Sequence, residues 1–190
     1  MFGLGESLLI TSGAGVGPYT VFAQGISNLT NWSLGLSTFV ISIFVLMLWI
    51  PLKQKPGMGT ILNAFIIALT IEFSVYFLPY PELYPLKILQ VVIGVLTIGI
   101  GSGFYLICNL GAGPRDGLMI GLQKVTNMPI YSIRTTIEIS VVVLGSICLL
   151  NNLDKLLGEV VGLGTVIFAL GIGPSVALGI TIVGKLSKEA

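Results

Sequence analysis

The chain has 190 residues, of which 54% are hydrophobic and 9% are charged, and its mean hydropathy is +1.01. Soluble domains carry about 25% charged residues, so this composition excludes a soluble globular protein and predicts an integral membrane protein. A net charge of +1, with no histidine and two cysteines, offers no basic surface for nucleic acid and no metal-ligand motif. We therefore expect neither an enzyme nor a bound metal or cofactor.

Apolar stretches recur along the whole chain, and a membrane-spanning helix needs about 20 mostly apolar residues. We predict six spans, at residues 2–14, 34–51, 59–78, 87–108, 130–150 and 160–182. The predicted fold class is all-α, a polytopic transmembrane bundle of about six helices. The first stretch is too short to cross the hydrocarbon. Either the true start lies upstream of Met1 or the first helix is short.

The distribution of Lys and Arg predicts the orientation, because cytoplasmic loops are enriched in them. If the N-terminus is cytoplasmic, seven of the nine lie on the inner side, and only Lys87 and Lys155 lie outside. We therefore expect a multi-pass protein of a bacterial inner (plasma) membrane with both termini in the cytoplasm.

The two halves of the chain, 1–84 and 85–190, resemble each other. With a shift of 96 residues, GVGP at 15–18 aligns with GAGP at 111–114, and with a shift of 105 residues, GMGT at 57–60 aligns with GLGT at 162–165. Each half holds three predicted spans, an odd number, so tandem copies must cross the bilayer in opposite directions. The sequence predicts two three-helix inverted repeats, an architecture common among secondary transporters.

Each GxGP segment is predicted to break a helix and start a short one, because proline suits the first turn of a helix and glycine permits unusual backbone angles. Paired breaks in inverted repeats indicate a transport site. The candidate substrate-binding residues are Gly15, Gly17, Pro18, Gly111, Gly113, Pro114, Arg115 and Asp116. The helix start and Arg115 would favour an anionic group. The alternative is a pair of surface turns with interfacial charges.

The fifth span must carry Arg134 and Glu138 into the membrane. Four residues apart, they share a helix face and can pair. Charges inside a membrane are costly and usually face the bundle interior. The pair therefore either fixes helix packing or takes part in substrate or proton coupling.

Further polar residues fall within the predicted bundle. Glu72, in the third span, could carry a coupling proton or lie near the outer interface, and Glu6 resembles it. Asn63 and Gln24 could serve the site or form hydrogen bonds between helices.

Three segments carry a family resemblance: GAGPRDGLM at 111–119, RTTIE at 134–138 and GLGTVIFALGIGP at 162–174. They resemble the YczE/YyaS/YitT-type bacterial integral membrane proteins. The resemblance extends over nearly the whole chain and is stronger in the second half. After the first turn the family usually has an aromatic residue and an Asp; here Tyr19 keeps the aromatic residue and Thr20 replaces the acid. The resemblance implies a bacterial inner membrane and no defined substrate.

Two functional hypotheses follow. The first is a small secondary transporter or permease-like protein for an unidentified small solute, expected to form a homodimer because six short spans enclose little volume. The second is a non-transporting accessory or scaffold protein that supports another membrane system, with its glycine-rich faces used for helix contacts.

Overall fold

A computed structural model describes residues 1–107, 111–152 and 156–189, and within these ranges the regular structure is entirely helical. The α-helices are α1 (Phe2–Ser12), α2 (Pro18–Thr30), α3 (Leu34–Leu48), α4 (Met58–Phe77), α5 (Tyr84–Ile107), α6 (Pro114–Thr126), α7 (Ile130–Cys148) and α8 (Leu163–Glu189). A 3-10 turn (Leu150–Asn152) and a π-helical turn (Leu156–Val160) lie between α7 and α8. The predicted all-α fold class is confirmed.

Four helices of the described chain, α4, α5, α7 and α8, are long and apolar enough to cross a membrane. They correspond to the predicted stretches 59–78, 87–108, 130–150 and 160–182. A fifth crossing results if α2 and α3, which are bent by 114° at their junction, form one broken span. The chain is thus a multi-pass helical bundle, whereas six spans stays a prediction.

Two of the predicted spans are shorter in the structure than in the sequence pattern. Helix α1 ends at Ser12, because Gly13 adopts a left-handed conformation (φ 56°) and its N–H donates to Ile10 O. Helix α3 has 15 residues and ends at Leu48, before Pro51. At 1.5 Å per residue it reaches only about 22 Å. Neither helix crosses about 30 Å of hydrocarbon by itself.

Helix α5 packs antiparallel to α1. Phe2 at the start of α1 contacts Gly101, and Gly5 lies against Ile98. Near the other end of α1, Gln90 Nε2 donates a 2.6 Å hydrogen bond to Thr11 Oγ1. The glycines in the interface between α1 and α5 allow the two backbones to approach closely.

Helix α5 also packs along α8, and these two helices run parallel. Gly99 contacts Ser175, and one turn further on Gly103 contacts Gly179. The main apolar core forms where α1, α5 and α8 meet. It includes Leu9, Val91, Val95, Ile98, Phe168 and Ile172.

Contacts between helices recur in the two halves at the spacing that the sequence comparison uses. Gly25 of α2 packs on Cys148, and Gly121 of α6 packs on Leu52. Gly121 lies 96 residues after Gly25, and Leu52 lies 96 residues before Cys148, so the two contacts are equivalent. Helices α2 and α6 each have 13 residues, begin with proline and end at a left-handed Asn, with φ 56° at Asn31 and 55° at Asn127. The equivalent segments therefore have the same local geometry.

Candidate functional site

The two predicted helix breaks are held against the beginnings of helices from the opposite half. Gly15 has φ 118°, and a Cβ there would lie 2.7 Å from the backbone nitrogen of Thr165. Gly111 has φ 115°, and a Cβ there would lie 2.8 Å from Thr60 Oγ1. These conformations and contacts require glycine. The first break therefore lies against the start of α8, and the second break lies against the start of α4.

Hydrogen bonds fix the same junctions. Val16 N donates to Val160 O over 3.0 Å. In the other half, Thr60 Oγ1 donates to Ala112 O over 2.7 Å. These hydrogen bonds hold the starts of the short helices α2 and α6 in place, and they fix the positions of the first side chains of both helices.

The start of α6 is also seated against the end of α3. The buried indole of Trp49 donates from Nε1 to Pro114 O over 3.0 Å. Gly117, one turn into α6, lies in contact with the indole ring. A side chain at position 117 would overlap this ring, so glycine brings α6 close to α3. This role of Trp49 was not predictable from the sequence.

A cavity lies between α1, α2, α3, α4 and the start of α6. Its volume is about 80 Å³. Its polar lining within the described residues consists of Glu6, Tyr19, Thr20, Thr38, Ser42, Asn63, Arg115 and Asp116, and the remaining wall is mostly apolar. This pattern, an apolar pocket with a few convergent polar groups, is typical of small-molecule sites.

The cavity lies near the middle of the helices that surround it. Ile41, at the centre of α3, and Ile67, at the centre of α4, both line it. Gly5, which precedes Glu6, packs against Gly94 and Ile98 in the middle of α5. The cavity therefore lies at mid-height of α4 and α5, two helices that are long and apolar enough to cross a membrane.

Glu6 is the most enclosed charged side chain of this cavity. It is 6% exposed, and its Oε2 accepts a 2.6 Å hydrogen bond from Thr20 Oγ1. Glu6 makes no other hydrogen bond and no ion pair among the described residues, so Oε1 is left to the cavity. Thr20 is the first-half counterpart of Asp116, 96 residues later. The structure places a carboxylate beside Thr20 from α1, so the missing acid at position 20 was the signal that could have drawn attention to Glu6.

Arg115 lies between several acidic groups. Its Nε is 3.9 Å from Asp116 Oδ1, and its guanidinium carbon is 6.0 Å from the centre of the Tyr19 ring. Glu6 and Glu138 also lie within electrostatic range of Arg115. Its side chain is 20% exposed. A guanidinium so placed can orient a charged solute or exchange carboxylate partners.

Of the predicted break residues, Gly113, Pro114, Arg115 and Asp116 line the cavity. Gly15 and Gly111 shape the breaks instead. Gly17 packs against the ring of Phe168, and Pro18 begins α2. The second half therefore supplies its helix start to the cavity, and the first half supplies side chains from α2.

The predicted intramembrane polar residues have different surroundings. Asn63 lines the cavity. Glu72 accepts a 3.0 Å hydrogen bond from Gly35 N at the start of α3, away from the cavity, so it caps that helix. Gln24 has a buried Oε1 without a hydrogen-bond partner within the part of the chain that the structure describes.

Arg134 and Glu138 form the expected pair, with 2.9 Å between Nε and Oε1. The two side chains are 38% and 21% exposed, and neither belongs to the cavity lining. Within the bundle this pair neutralises itself on the surface of α7.

Apolar helices long enough to span a bilayer, arranged around a polar cavity, define a multi-pass membrane protein. The chain belongs to the DUF6198 family, described as a family of unknown function, whose sequence profile matches residues 1–180. The resemblance to YczE- and YyaS-type proteins is confirmed by the relatives that follow.

An uncharacterized protein of Haemophilus influenzae is 42% identical over 186 residues, which are 98% of this chain and 81% of that protein. The uncharacterized membrane protein YczE of Bacillus subtilis is 29% identical over 143 residues, 72% of this chain and 65% of YczE. YyaS of the same organism is 27% identical over 138 residues, 70% of this chain and 69% of YyaS. No solved structure matches the chain.

Proposed function

We propose that this protein is a small secondary transporter whose solute binds in the cavity between α1–α4 and the start of α6. The observation that carries the proposal is the buried Glu6, which faces a polar cavity at mid-height of the bundle. Ionisable groups at this depth are costly and are retained at substrate and ion pathways.

The recurring contacts support an inverted-repeat architecture for this transporter. Helices α1 and α5 occupy equivalent positions in the two halves and run antiparallel, with Phe2 beside Gly101 and Leu9 beside Gly94. Repeats related in this way place substrate sites near the bilayer midplane. Rocking of one half against the other could then expose the cavity to each side in turn.

Transport is tested in proteoliposomes. Radiolabelled small cations, anions and zwitterions are screened for uptake with and without a pH gradient. We expect uptake of at least one class, which falls at least tenfold in Glu6→Gln because the variant keeps the volume and the Thr20 contact but loses the charge. Glu72→Gln is the matched control, since Glu72 lies outside the cavity, and it should retain uptake.

The accessory hypothesis predicts a different outcome. Folded protein that moves no solute of any class, and that co-purifies with a second membrane protein, would refute transport. Both variants must first be shown to be folded, by size-exclusion chromatography and thermal unfolding in detergent.

We also propose a homodimer in a bacterial inner membrane. Helix α7 has much of its surface uncovered within one chain, since Ile133 and Gly145 are its buried residues. Cross-linking of intact cells through single cysteines on α7, for example at Ile139, which is 59% exposed, should give a dimer band. If single cysteines at every exposed position of α7 gave only a monomer band, the result would contradict the proposal.

A further inference from the structure

The charge of the cavity wall points to the class of solute. We infer that the cavity binds a small organic cation, which exchanges with a proton at Glu6. This inference rests on the proposed transport function and adds to it the solute's charge and the coupling ion.

The charge of the cavity wall depends on the proton of Glu6. Among the described lining residues the ionisable carboxyl and guanidinium groups are Glu6, Asp116 and Arg115, so the wall is neutral when Glu6 is protonated and carries a net charge of −1 when Glu6 is ionised. Behind this wall, Arg134 and Glu138 cancel each other at 2.9 Å. An anionic solute would add to the excess negative charge, whereas a cation or a proton would neutralise it.

The excess negative charge of the wall lies on the ionised Glu6. Asp116 lies 3.9 Å from the Arg115 guanidinium and in the first turn of α6, where the helix dipole stabilises a negative charge. Glu6 Oε2 accepts from the hydroxyl of Thr20, and Arg115 interacts with Glu6 less strongly than with Asp116. Among the described residues, the charged or titratable groups that face Glu6 are Tyr19 on α2 and Arg115 and Asp116 on α6; Glu138 on α7 lies within electrostatic range of Arg115, and α3 and α4 place no ionisable group on the described cavity wall.

The hydroxyl of Thr20 can bind Glu6 in both of its protonation states. A threonine hydroxyl is both a donor and an acceptor. It can donate to an ionised Glu6 and, after rotation, accept from a protonated Glu6. The 2.6 Å contact between Thr20 and Glu6 therefore persists in both states. Glu6 can gain and lose a proton without the loss of its partner.

The remaining wall suits an alkylated cation. The ring of Phe2 lines the cavity, and aromatic faces attract organic cations; the ring of Tyr19 also lines it, with the Arg115 guanidinium 6.0 Å from its centre. The side chains of Ile41, Ile67 and Ile71 provide apolar contact for alkyl groups.

The exchange conserves charge. The protonated Glu6 carboxyl releases its proton to water on the side to which the cavity opens, and the cation binds beside the carboxylate. After the cavity opens to the other side, a proton from water binds to Glu6 and the cation leaves. No bond other than the O–H bond of Glu6 breaks or forms, and each cycle exchanges one cation for one proton.

Binding is tested with purified protein in nanodiscs and three probes that differ in charge: tetramethylammonium, glycine betaine and acetate. Trp49 reports on the start of α6 through its 3.0 Å bond to Pro114 O, so its fluorescence is followed in a Trp32→Phe background. A pH-indicator dye measures released protons. We expect saturable binding of tetramethylammonium with one proton released per cation bound. Glu6→Gln should weaken binding at least tenfold and abolish proton release, and Glu72→Gln should leave both unchanged.

The outcomes separate this inference from the proposed function. Preferred binding of acetate or glycine betaine, together with uptake of the same solute into proteoliposomes, would overturn the cation inference and leave transport intact. Tetramethylammonium binding with unaltered proton release in Glu6→Gln would overturn the role of Glu6. Absence of saturable binding and uptake for every probe and solute class would overturn the inference and the proposed function together.

Discussion

At the scale of single residues, the contact between Glu6 and Thr20 defines the cavity. The sequence shows Glu6 in an apolar stretch and Thr20 at the position that corresponds to Asp116 in the second half, so both positions could be selected from the sequence. Their contact could not, because the two side chains lie on different helices and meet only through the angle at the break between α1 and α2. The same limit applies to Trp49, whose bond to Pro114 joins residues far apart in the chain.

Replacement of Thr20 tests the value of this contact. Thr20→Val leaves a buried carboxyl group without its hydroxyl partner, and a hydrogen bond to a charged group contributes about 1.5–3 kcal/mol. We expect a lower thermal unfolding midpoint in detergent for Thr20→Val and a nearly unchanged midpoint for Thr20→Ser. Equal midpoints for the two variants would show that the hydroxyl contributes nothing to stability.

The Arg134–Glu138 pair offers a second test. An exposed pair of this spacing contributes about 0.2–0.5 kcal/mol in water. Hydrocarbon screens charges less than water does, so a double-mutant cycle of Arg134→Gln and Glu138→Gln should give a larger coupling energy in nanodiscs. The cycle is read from thermal unfolding. A coupling energy indistinguishable from zero would mean that water fully solvates the pair.

At the scale of elements, the prolines and glycines of the GxGP segments allowed the starts of α2 and α6 to be predicted correctly. The sequence did not indicate what holds the breaks in place. Gly15 depends on Thr165 and Gly111 depends on Thr60, and each partner belongs to the opposite half. The lengths of α1 and α3 were overestimated, because the apolar composition continues past the residues at which the backbone turns.

Alanine at either break should destabilise the protein. Gly15→Ala and Gly111→Ala both introduce a Cβ at a φ near +115° to +118° and within 3 Å of a neighbouring atom. Such strained conformations cost about 1–3 kcal/mol each. We expect similar decreases in the thermal unfolding midpoint for the two variants. Gly184→Ala is the control, because a Cβ there meets nothing within 4 Å; a decrease equal to that of the control would argue against tight junctions.

At the scale of the whole molecule, the composition alone was sufficient to predict a helical membrane protein, since 9% charged residues lie far below the average of about 25% in soluble domains. The internal match of the sequence also led to the segments that share local geometry. The cavity was not predictable, because it forms where four helices of the first half meet the start of α6 from the second half. Composition and residue spacing do not determine the angle at which α6 packs against the helices of the first half.

The inverted topology can be tested with single cysteines at Leu29 and Val125, which are equivalent positions near the ends of α2 and α6. Both side chains are exposed, at 52% and 64%. In a background without native cysteines, a membrane-impermeant maleimide added to intact spheroplasts should label only one of the two positions, and labelling after lysis should reach both. Labelling of both positions from the same side would contradict inverted repeats.

The reciprocal anchoring of the two breaks also constrains how the protein is made. The carbonyl of Ala14 needs the N–H of Gly164, at the start of α8, as its donor, and most of the chain is synthesised between them. During insertion the first break therefore stays without its partner until the last helix enters the membrane. Chains truncated before α8 should be recognised as incomplete by membrane proteases, although most of their helices are already inserted.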